Sequence, residues 1–216
     1  TTTATTKAAP AVLSTPAHVV TAGSHAASDS PTPAPQPSTA AADSTQSTAS
    51  TADSRQPEVA AEGAVLLNAA TGEVLYGKNQ DQQFYPASIT KVMTALVVLE
   101  HCNLNETVTF SETATTNLES GAVALGVSAG DQLTVEQSLY GLLLKSANEI
   151  GNGLAEHVSG SVSAFAELMN AKAKELGCTD THFANPSGLN NPEHYTSTYD
   201  MALIARAAFL NPSFEE

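Results

Sequence analysis

The sequence predicts an α+β fold in which one β-hairpin precedes a long block of helices. Two short apolar runs, residues 64–67 and 73–76, are joined by Asn68-Ala69-Ala70-Thr71-Gly72. Two apolar runs joined by a glycine-containing turn indicate a hairpin. After residue 88 most apolar residues recur at helical spacing instead. Because strands and helices do not alternate along the chain, a parallel βαβ sheet is not expected.

The first predicted helix covers residues 88–101. It carries apolar side chains around most of its circumference, from Val92 to Leu99, so we expect it to run through the core rather than over the surface. Residues 103–131 are rich in Thr, Ser and Gly and are not assigned to one element.

Four further helices are predicted, over residues 135–144, 150–158, 161–176 and 201–210. Leu139, Leu142 and Leu143 are expected on the buried side of the first of these. Gly177 is placed to end the third. The segment Ser197-Thr198-Tyr199-Asp200 resembles a capping box before the last. A lone hairpin is marginal in water, so further strands are needed, and no other segment supplies them in an obvious way.

The first 57 residues have a different composition from the rest of the chain. They contain no aromatic residue and consist largely of Thr, Ala, Ser and Pro. Such a segment buries too little apolar surface to offset its ordering entropy, about 1–2 kcal/mol per residue for the backbone. We therefore predict a disordered linker or stalk over residues 1–57 and a folded part over residues 58–216.

Charge and composition exclude several classes of function. The chain carries a formal net charge of −14, and residues 58–216 hold −13 of it, which argues against nucleic-acid binding. No apolar run reaches 18 residues and no intact signal peptide is evident. A Ser/Thr/Pro-rich stalk is typical of exported proteins. Cys102 and Cys178 are favoured as free thiols, with pairing in an oxidising compartment left open.

Four residues form a candidate catalytic group. Ser88 and Lys91 are three residues apart at the start of an apolar helix, so the lysine can reach the serine oxygen. A lysine acts as a base only when it is neutral, and burial lowers its pKa. Ser146 and Asn148 follow between two predicted helices and supply a second hydroxyl and an amide. A Ser-x-x-Lys match alone is expected by chance in a chain so rich in serine. The longer sequence around the motif therefore decides whether it is catalytic.

That context resembles the D-alanyl-D-alanine carboxypeptidases, the low-molecular-mass penicillin-binding proteins of bacterial cell-wall synthesis. The resemblance covers about residues 58–216. The motifs that carry it are Asn68-x-x-x-Gly72, Pro86-Ala87-Ser88-x-Thr90-Lys91, Leu142-Leu143-Leu144-Lys145-Ser146-Ala147-Asn148-Glu149, Phe165-x-x-x-Met169-Asn170-x-Lys172-Ala173, Leu176-Gly177, Thr181-His182-Phe183, Asn185-Pro186-x-Gly188-Leu189 and Tyr195-x-Ser197-Thr198-x-Asp200-Met201-Ala202.

The resemblance implies a fold, an activity and a role for each residue. The fold would be β-lactamase/transpeptidase-like, an antiparallel sheet with a helical block. The substrates would be peptidoglycan stem peptides ending in D-Ala-D-Ala, with β-lactam antibiotics as inhibitors and no cofactor. Ser88 would be the nucleophile, Lys91 its general base and Ser146 a proton relay. Asn148 would hold Lys91 and a substrate amide, and the Ser88 backbone N–H would supply half of an oxyanion hole.

The chain departs from the family pattern in one respect. It contains no Lys-Thr-Gly, the family's third motif, which binds the substrate carboxylate on a central strand. We therefore expect residues 58–216 to be the N-terminal part of the catalytic domain, without its last strands. Two alternatives stay open: a β-lactamase-like hydrolase, and a non-catalytic cell-wall-binding pseudoenzyme. Location outside the cytoplasm is implied, and membrane anchoring through a segment outside this chain stays open.

The other polar residues receive plainer interpretations. The histidines show no metal-ligand spacing, so no metal site is predicted. His182 is interpreted as a hydrogen-bonding or packing residue. Glu149 and Lys145 are expected at the solvated surface. Gly188 is expected to serve the turn at Asn185-Pro186-Ser187-Gly188.

Overall fold

The structure, a computed structural model, describes residues 57–116 and 118–215. All but the last residue of the predicted linker lies outside the described residues. Six strands and seven helices are described: β1 (Ala64–Leu67), β2 (Val74–Lys78), β3 (Gln83–Phe84), α1 (Thr90–His101), β4 (Thr107–Thr109), α2 (Glu112–Thr116), β5 (Gln132–Thr134), α3 (Val135–Leu144), α4 (Asn148–Ser159), α5 (Val162–Glu175), β6 (Thr196–Ser197), α6 (Thr198–Phe209) and α7 (Pro212–Glu215). None of the described helices has the length and hydrophobicity that a bilayer span requires.

The predicted hairpin is confirmed. Strands β1 and β2 pair antiparallel, with Ala64 opposite Lys78. In the turn, the Asn68 side-chain oxygen accepts hydrogen bonds from the N–H groups of Ala70 and Thr71, and Gly72 has a φ of 78° that favours glycine. The hairpin packs against α6. The additional strands that sequence did not identify form two other antiparallel pairs, β3 with β6 and β4 with β5.

Helix α1 runs through the core, as predicted. It packs against α3, α4, α5 and α6, and eight of its twelve residues are buried. An α-helix with apolar side chains on all sides can meet four neighbours in this way. The N-terminal end of α1 is therefore held inside the protein. The helix begins at Thr90, two residues after Ser88.

The helix boundaries follow their capping residues. Helix α3 has the predicted bounds and begins with a capping box between Thr134 and Gln137. Ser161 caps α5. At α6 the predicted box is half right, because Ser197 accepts from the Asp200 N–H while the Asp200 carboxylate accepts from the Asp180 N–H and the Thr181 hydroxyl.

Two expectations about side chains have different outcomes. Leu143 was expected to be buried beside Leu139 and Leu142, and this is wrong: its side chain is 40% exposed, against 8% and 0% for the other two. Adjacent helical residues are about 100° apart around the axis, so Leu143 turns away from the face that Leu142 buries. Cys102 and Cys178 are free thiols, as favoured.

A turn at residues 185–188 is hydrogen-bonded to the first two turns of α1. The Thr94 hydroxyl donates to the Pro186 carbonyl at 2.7 Å. Inside the turn, the Asn185 side-chain oxygen accepts from the Ser187 and Gly188 N–H groups. Gly188 has a φ of 83°, and a Cβ at this position would overlap the Ala87 carbonyl. Glycine therefore allows this turn to approach the chain beside Ser88 closely.

Replacing Gly188 by alanine tests this close approach. We expect Gly188→Ala to lower the free energy of unfolding by about 3–5 kcal/mol, because strain of the left-handed backbone and the overlap with Ala87 add together. The matched control is Gly160→Ala, where φ is 79° and a Cβ would meet nothing within 4 Å, so about 1–2 kcal/mol is expected. Chemical denaturation measures both. Equal losses for the two variants would contradict the close-packed turn.

Candidate active site

Ser88 lies at an exposed turn at the entrance to α1. The turn is a short 3-10 helix, Ala87–Ile89, that continues directly into α1. Sequence placed Ser88 at the start of the helix, and the structure differs only in winding this first turn more tightly. Ala87, which precedes Ser88, has a φ of 49°. The serine hydroxyl is thus fixed at the surface end of a helix whose next residues are buried.

The other predicted residues come together around Ser88. Ser146 has a φ of 60° in the connection between α3 and α4, and its hydroxyl donates to the Ser88 Oγ at 3.0 Å. Asn148 is the first residue of α4. Lys91 Nζ lies 3.2 Å from the Ser88 Oγ and 2.9 Å from the Asn148 Oδ1. The structure therefore brings all four side chains into one continuous hydrogen-bonded cluster.

Lys91 is the most deeply buried member of this cluster. Its side chain is 2% exposed, and its amine has a third acceptor, the Ser187 carbonyl oxygen at 2.7 Å. All three acceptors are uncharged. Burial lowers the pKa of Lys91 from its ordinary 10.5 to about 8, because an ammonium loses hydration when it leaves water. At pH 7 about a tenth of the Lys91 side chains are therefore neutral, roughly 300 times the fraction expected at the ordinary pKa.

The number of hydrogens on the amine makes this geometry suitable for proton transfer. A lysine ammonium has three N–H donors, which match the three acceptors. A neutral amine has two N–H donors and one lone pair. When the amine donates to Asn148 and Ser187, its lone pair faces the Ser88 hydroxyl and can accept that proton. Loss of one proton from Lys91 thus converts the contact with Ser88 from donation into acceptance.

Sequence reasoning missed the carbonyl of Ser187. The turn at residues 185–188 was interpreted as structural, and the conformation of Gly188 agrees with that, but the turn also presents a main-chain oxygen to Lys91. A main-chain carbonyl is present in every residue, so no side-chain pattern marks it as part of a site. The Ser187 carbonyl reaches Lys91 because this turn is hydrogen-bonded to α1 through Thr94 and Pro186.

A loop at residues 123–126 is held against the start of α4. The Val123 carbonyl accepts from both the backbone N–H and the side-chain amide of Asn148, at 3.0 and 2.8 Å. One of the two amide hydrogens of Asn148 is thus engaged within the protein. The side-chain oxygen remains directed at Lys91, which fixes the orientation of the amide.

The expectation that Glu149 is solvated is wrong. Glu149 is 1% exposed, and its Oε1 accepts from the backbone N–H groups of Leu125 and Gly126 at 2.6 and 2.8 Å. The carboxylate makes charge-assisted hydrogen bonds to two main-chain donors of this otherwise exposed loop. A charged residue at a helix start is commonly solvated, so sequence alone favoured the wrong environment. Glu149 holds the same loop that Asn148 contacts. Lys145, by contrast, is exposed as expected.

Two histidines near the cluster act through hydrogen bonds. His194 is buried, and burial together with His182 lowers its pKa to about 4, so the ring is neutral. Its Nδ1 accepts from the Ala184 N–H, so its Nε2 carries the hydrogen and donates to the Thr90 hydroxyl at 2.8 Å. His182 bonds the Glu193 carbonyl, consistent with its interpretation as a hydrogen-bonding residue.

Removing the Glu149 carboxylate tests its role in holding the loop. We expect Glu149→Ala to lower the free energy of unfolding by about 3 kcal/mol, because two charge-assisted hydrogen bonds to main-chain N–H groups are lost. Glu167→Ala, at an exposed position of α5, is the matched control and should change stability by less than about 0.5 kcal/mol. Chemical denaturation compares the two. A loss no greater than that of the control would contradict the assigned contacts.

Comparison with known proteins identifies the family and supports the fold. Residues 49–215 match the family described as D-alanyl-D-alanine carboxypeptidase, peptidase S11. The carboxypeptidase DacF of Bacillus subtilis is 40% identical over 151 residues, which cover 68% of this chain and 38% of that protein. DacB2 of Mycobacterium tuberculosis is 40% identical over 162 residues, covering 74% of this chain and 54% of that protein.

A solved structure supports the same assignment. The crystal structure of penicillin binding protein 6B from Escherichia coli superposes with a TM-score of 0.71 at 32% identity, covering 74% of this chain and 53% of that one. The fold is thus β-lactamase/transpeptidase-like, as the sequence resemblance implied. The chain spans about 38–54% of the length of these curated relatives. By its family match, its fold and its motifs, the chain belongs to the D-alanyl-D-alanine carboxypeptidase family, peptidase S11.

Proposed function

We propose that this protein is a serine-type D-Ala-D-Ala carboxypeptidase that trims peptidoglycan stem peptides through an acyl-enzyme on Ser88. One observation carries the proposal: the Lys91 amine, buried among uncharged acceptors, lies 3.2 Å from the exposed Ser88 hydroxyl. An unassisted serine is a poor nucleophile, and a neutral amine within hydrogen-bonding distance is the base that it needs. The proposal assigns this chemistry to residues 58–216 and treats residues 1–57 as a linker or stalk.

In the proposed acylation, the Ser88 Oγ attacks the carbonyl carbon of the penultimate D-alanine while its proton passes to Lys91 Nζ. The Ser88 backbone N–H stabilises the oxyanion that forms. The C–N bond then breaks, and the leaving amine of the terminal D-alanine receives, through the Ser146 hydroxyl, the proton that Lys91 had taken. The 3.0 Å contact between the Ser146 and Ser88 hydroxyls supports this route. Asn148 keeps Lys91 in position and offers its free amide hydrogen to the substrate.

In the proposed deacylation, water attacks the ester carbonyl carbon and gives a proton to Lys91. The bond between this carbon and the Ser88 Oγ then breaks, and the Oγ takes the proton back from Lys91 as the shortened peptide leaves. A β-lactam acylates the same serine, and its ester is hydrolysed slowly. The family's Lys-Thr-Gly motif, the partner of the substrate carboxylate, does not occur in residues 1–216, so the proposal concerns the covalent chemistry at Ser88.

We place this activity outside the cytoplasm, at the cell wall, where trimming of stem peptides affects cell shape. Membership of the family supports this location, since peptidoglycan is assembled there. The Ser/Thr/Pro-rich composition of residues 1–57 is typical of exported proteins and supports it independently.

Intact-mass analysis after incubation with benzylpenicillin tests Ser88 directly. We expect the protein to gain the mass of one benzylpenicillin molecule, because opening of the β-lactam ring retains every atom. Ser88→Ala should gain nothing, and Ser163→Ala, a control at an exposed position of α5, should react like the parent protein. An adduct on Ser88→Ala, or none on the parent protein, would contradict the proposal. Rapid release of hydrolysed penicillin would favour the β-lactamase-like alternative.

The pH dependence of acylation tests Lys91 as the base. The pKa of Lys91 is about 8, so at lower pH most molecules carry an ammonium that has no lone pair for the Ser88 proton. We expect the acylation rate to rise about tenfold per pH unit below 8 and to level off above it. A fluorescent penicillin under single-turnover conditions reports this rate. Lys145→Ala, at an exposed position, should keep the same profile, whereas a rate independent of pH through 8 would exclude Lys91 as the base.

A further inference from the structure

Three side chains of metal-binding type meet at the opposite end of α1 from Ser88. Cys102 follows the last residue of α1, Glu106 lies just before β4, and His157 is in the last turn of α4. One potential ligand atom from each residue, the thiol sulfur, a carboxylate oxygen and an imidazole nitrogen, lies within 4.8 Å of the other two. Eleven helical residues of about 1.5 Å rise each separate Lys91 from Cys102, so this cluster is on the order of 16 Å from the proposed base.

The carboxylate of this cluster is held in place by its neighbours. The Glu106 Oε1 accepts from the backbone N–H and the side-chain amide of Asn103, at 2.7 and 2.8 Å. The other oxygen, Oε2, faces the His157 Nε2 at 3.2 Å. Hydrogen bonds that orient a ligating carboxylate are a regular feature of metal sites. One oxygen is therefore anchored by Asn103 and the other faces the histidine.

The spacing suits a tetrahedral zinc ion. Zinc binds imidazole nitrogen and carboxylate oxygen at about 2.0–2.2 Å and thiolate sulfur at about 2.3 Å. Two ligands of a tetrahedral ion are then about 3.3–3.5 Å apart, and the His157 and Glu106 atoms are already 3.2 Å apart. The sulfur of Cys102 lies within 4.8 Å of both atoms.

Charge also favours a divalent cation at this position. A thiolate and a carboxylate together balance the two positive charges of zinc, and the imidazole binds in its neutral form. On binding, the Cys102 sulfur forms a bond to the metal and its thiol proton leaves to solvent. With three protein ligands, the fourth position belongs to water.

We propose that Cys102, Glu106 and His157 form a binding site for one divalent cation of the zinc type. Cys102 and Glu106 come from the connection between α1 and β4, and His157 comes from α4, 51 residues after Glu106, which is why no short spacing motif predicted the site. A bound ion would join the C-terminal end of α1 to the last turn of α4. The opposite ends of these two helices carry Lys91 and Asn148. The ion would therefore stabilise the helix pair that supports the active site without taking part in the hydrolysis.

Cobalt(II) absorption tests the thiolate ligand directly. The reduced, chelator-treated protein is titrated with cobalt chloride, and we expect a thiolate-to-metal charge-transfer band in the near ultraviolet that saturates at one ion per chain. Cys102→Ser should lose the band and Cys178→Ser, the matched control, should keep it. Absence of the band in the parent protein, or its persistence in Cys102→Ser, would overturn the proposal.

Calorimetric titration with zinc chloride tests the histidine. We expect His157→Gln to weaken zinc affinity at least ~100-fold, since loss of a residue that merely supports a ligand costs 10–100-fold. His101→Gln is the matched control, because His101 is exposed at the end of α1 and bonds the Val97 carbonyl, and it should leave affinity unchanged. Zinc should also raise the melting temperature of the parent protein. Equal affinities in the two histidine variants would overturn the proposal.

Discussion

The structure of the site depends on one constraint, the need to give a buried lysine amine three uncharged acceptors. Lys91 is 2% exposed and has no carboxylate among its hydrogen-bond partners. An isolated ammonium in such a place is costly. The protein offsets that cost with oxygens of Ser88, Asn148 and Ser187, and the remaining penalty appears as a lowered pKa. The same environment that destabilises the charged lysine makes it a suitable base for Ser88.

The fold can be understood as the means of holding those acceptors. They come from the entrance to α1, the start of α4 and the turn at residues 185–188. Helix α1 is packed on all sides, so Lys91 has little freedom to move. Thr94 ties the turn to α1, and Gly188 allows the close approach. Loop 123–126, bound by Asn148 and Glu149, fixes the start of α4. These supports are hydrogen bonds and packing contacts between segments far apart in sequence, and together they fix the amine 3.2 Å from a hydroxyl.

The pattern of side chains in the sequence predicted most of the fold and the four residues of the site. The features that it did not predict are mostly contacts made by main-chain groups. The hairpin, the central helix and the bounds of α3 follow from periodicity and capping, which act over a few residues. The Ser187 carbonyl could not be predicted, because its position depends on a turn nearly 100 residues from Lys91. Glu149 was misjudged for a similar reason, since its partners are backbone groups of a loop with no regular pattern. Tertiary contacts, rather than local sequence, decide such environments.

The protonation of Lys91 can be measured directly by NMR. The protein is labelled in its lysine side chains, and the Cε and Nζ resonances are followed as pH rises, with Lys91→Arg used to assign the signal. The account predicts one lysine that titrates near pH 8, well below the others, because burial disfavours its ammonium. If every lysine titrated near its ordinary 10.5, fewer than about one Lys91 in a thousand would be neutral at pH 7, and the proposed mechanism at Ser88 would be wrong.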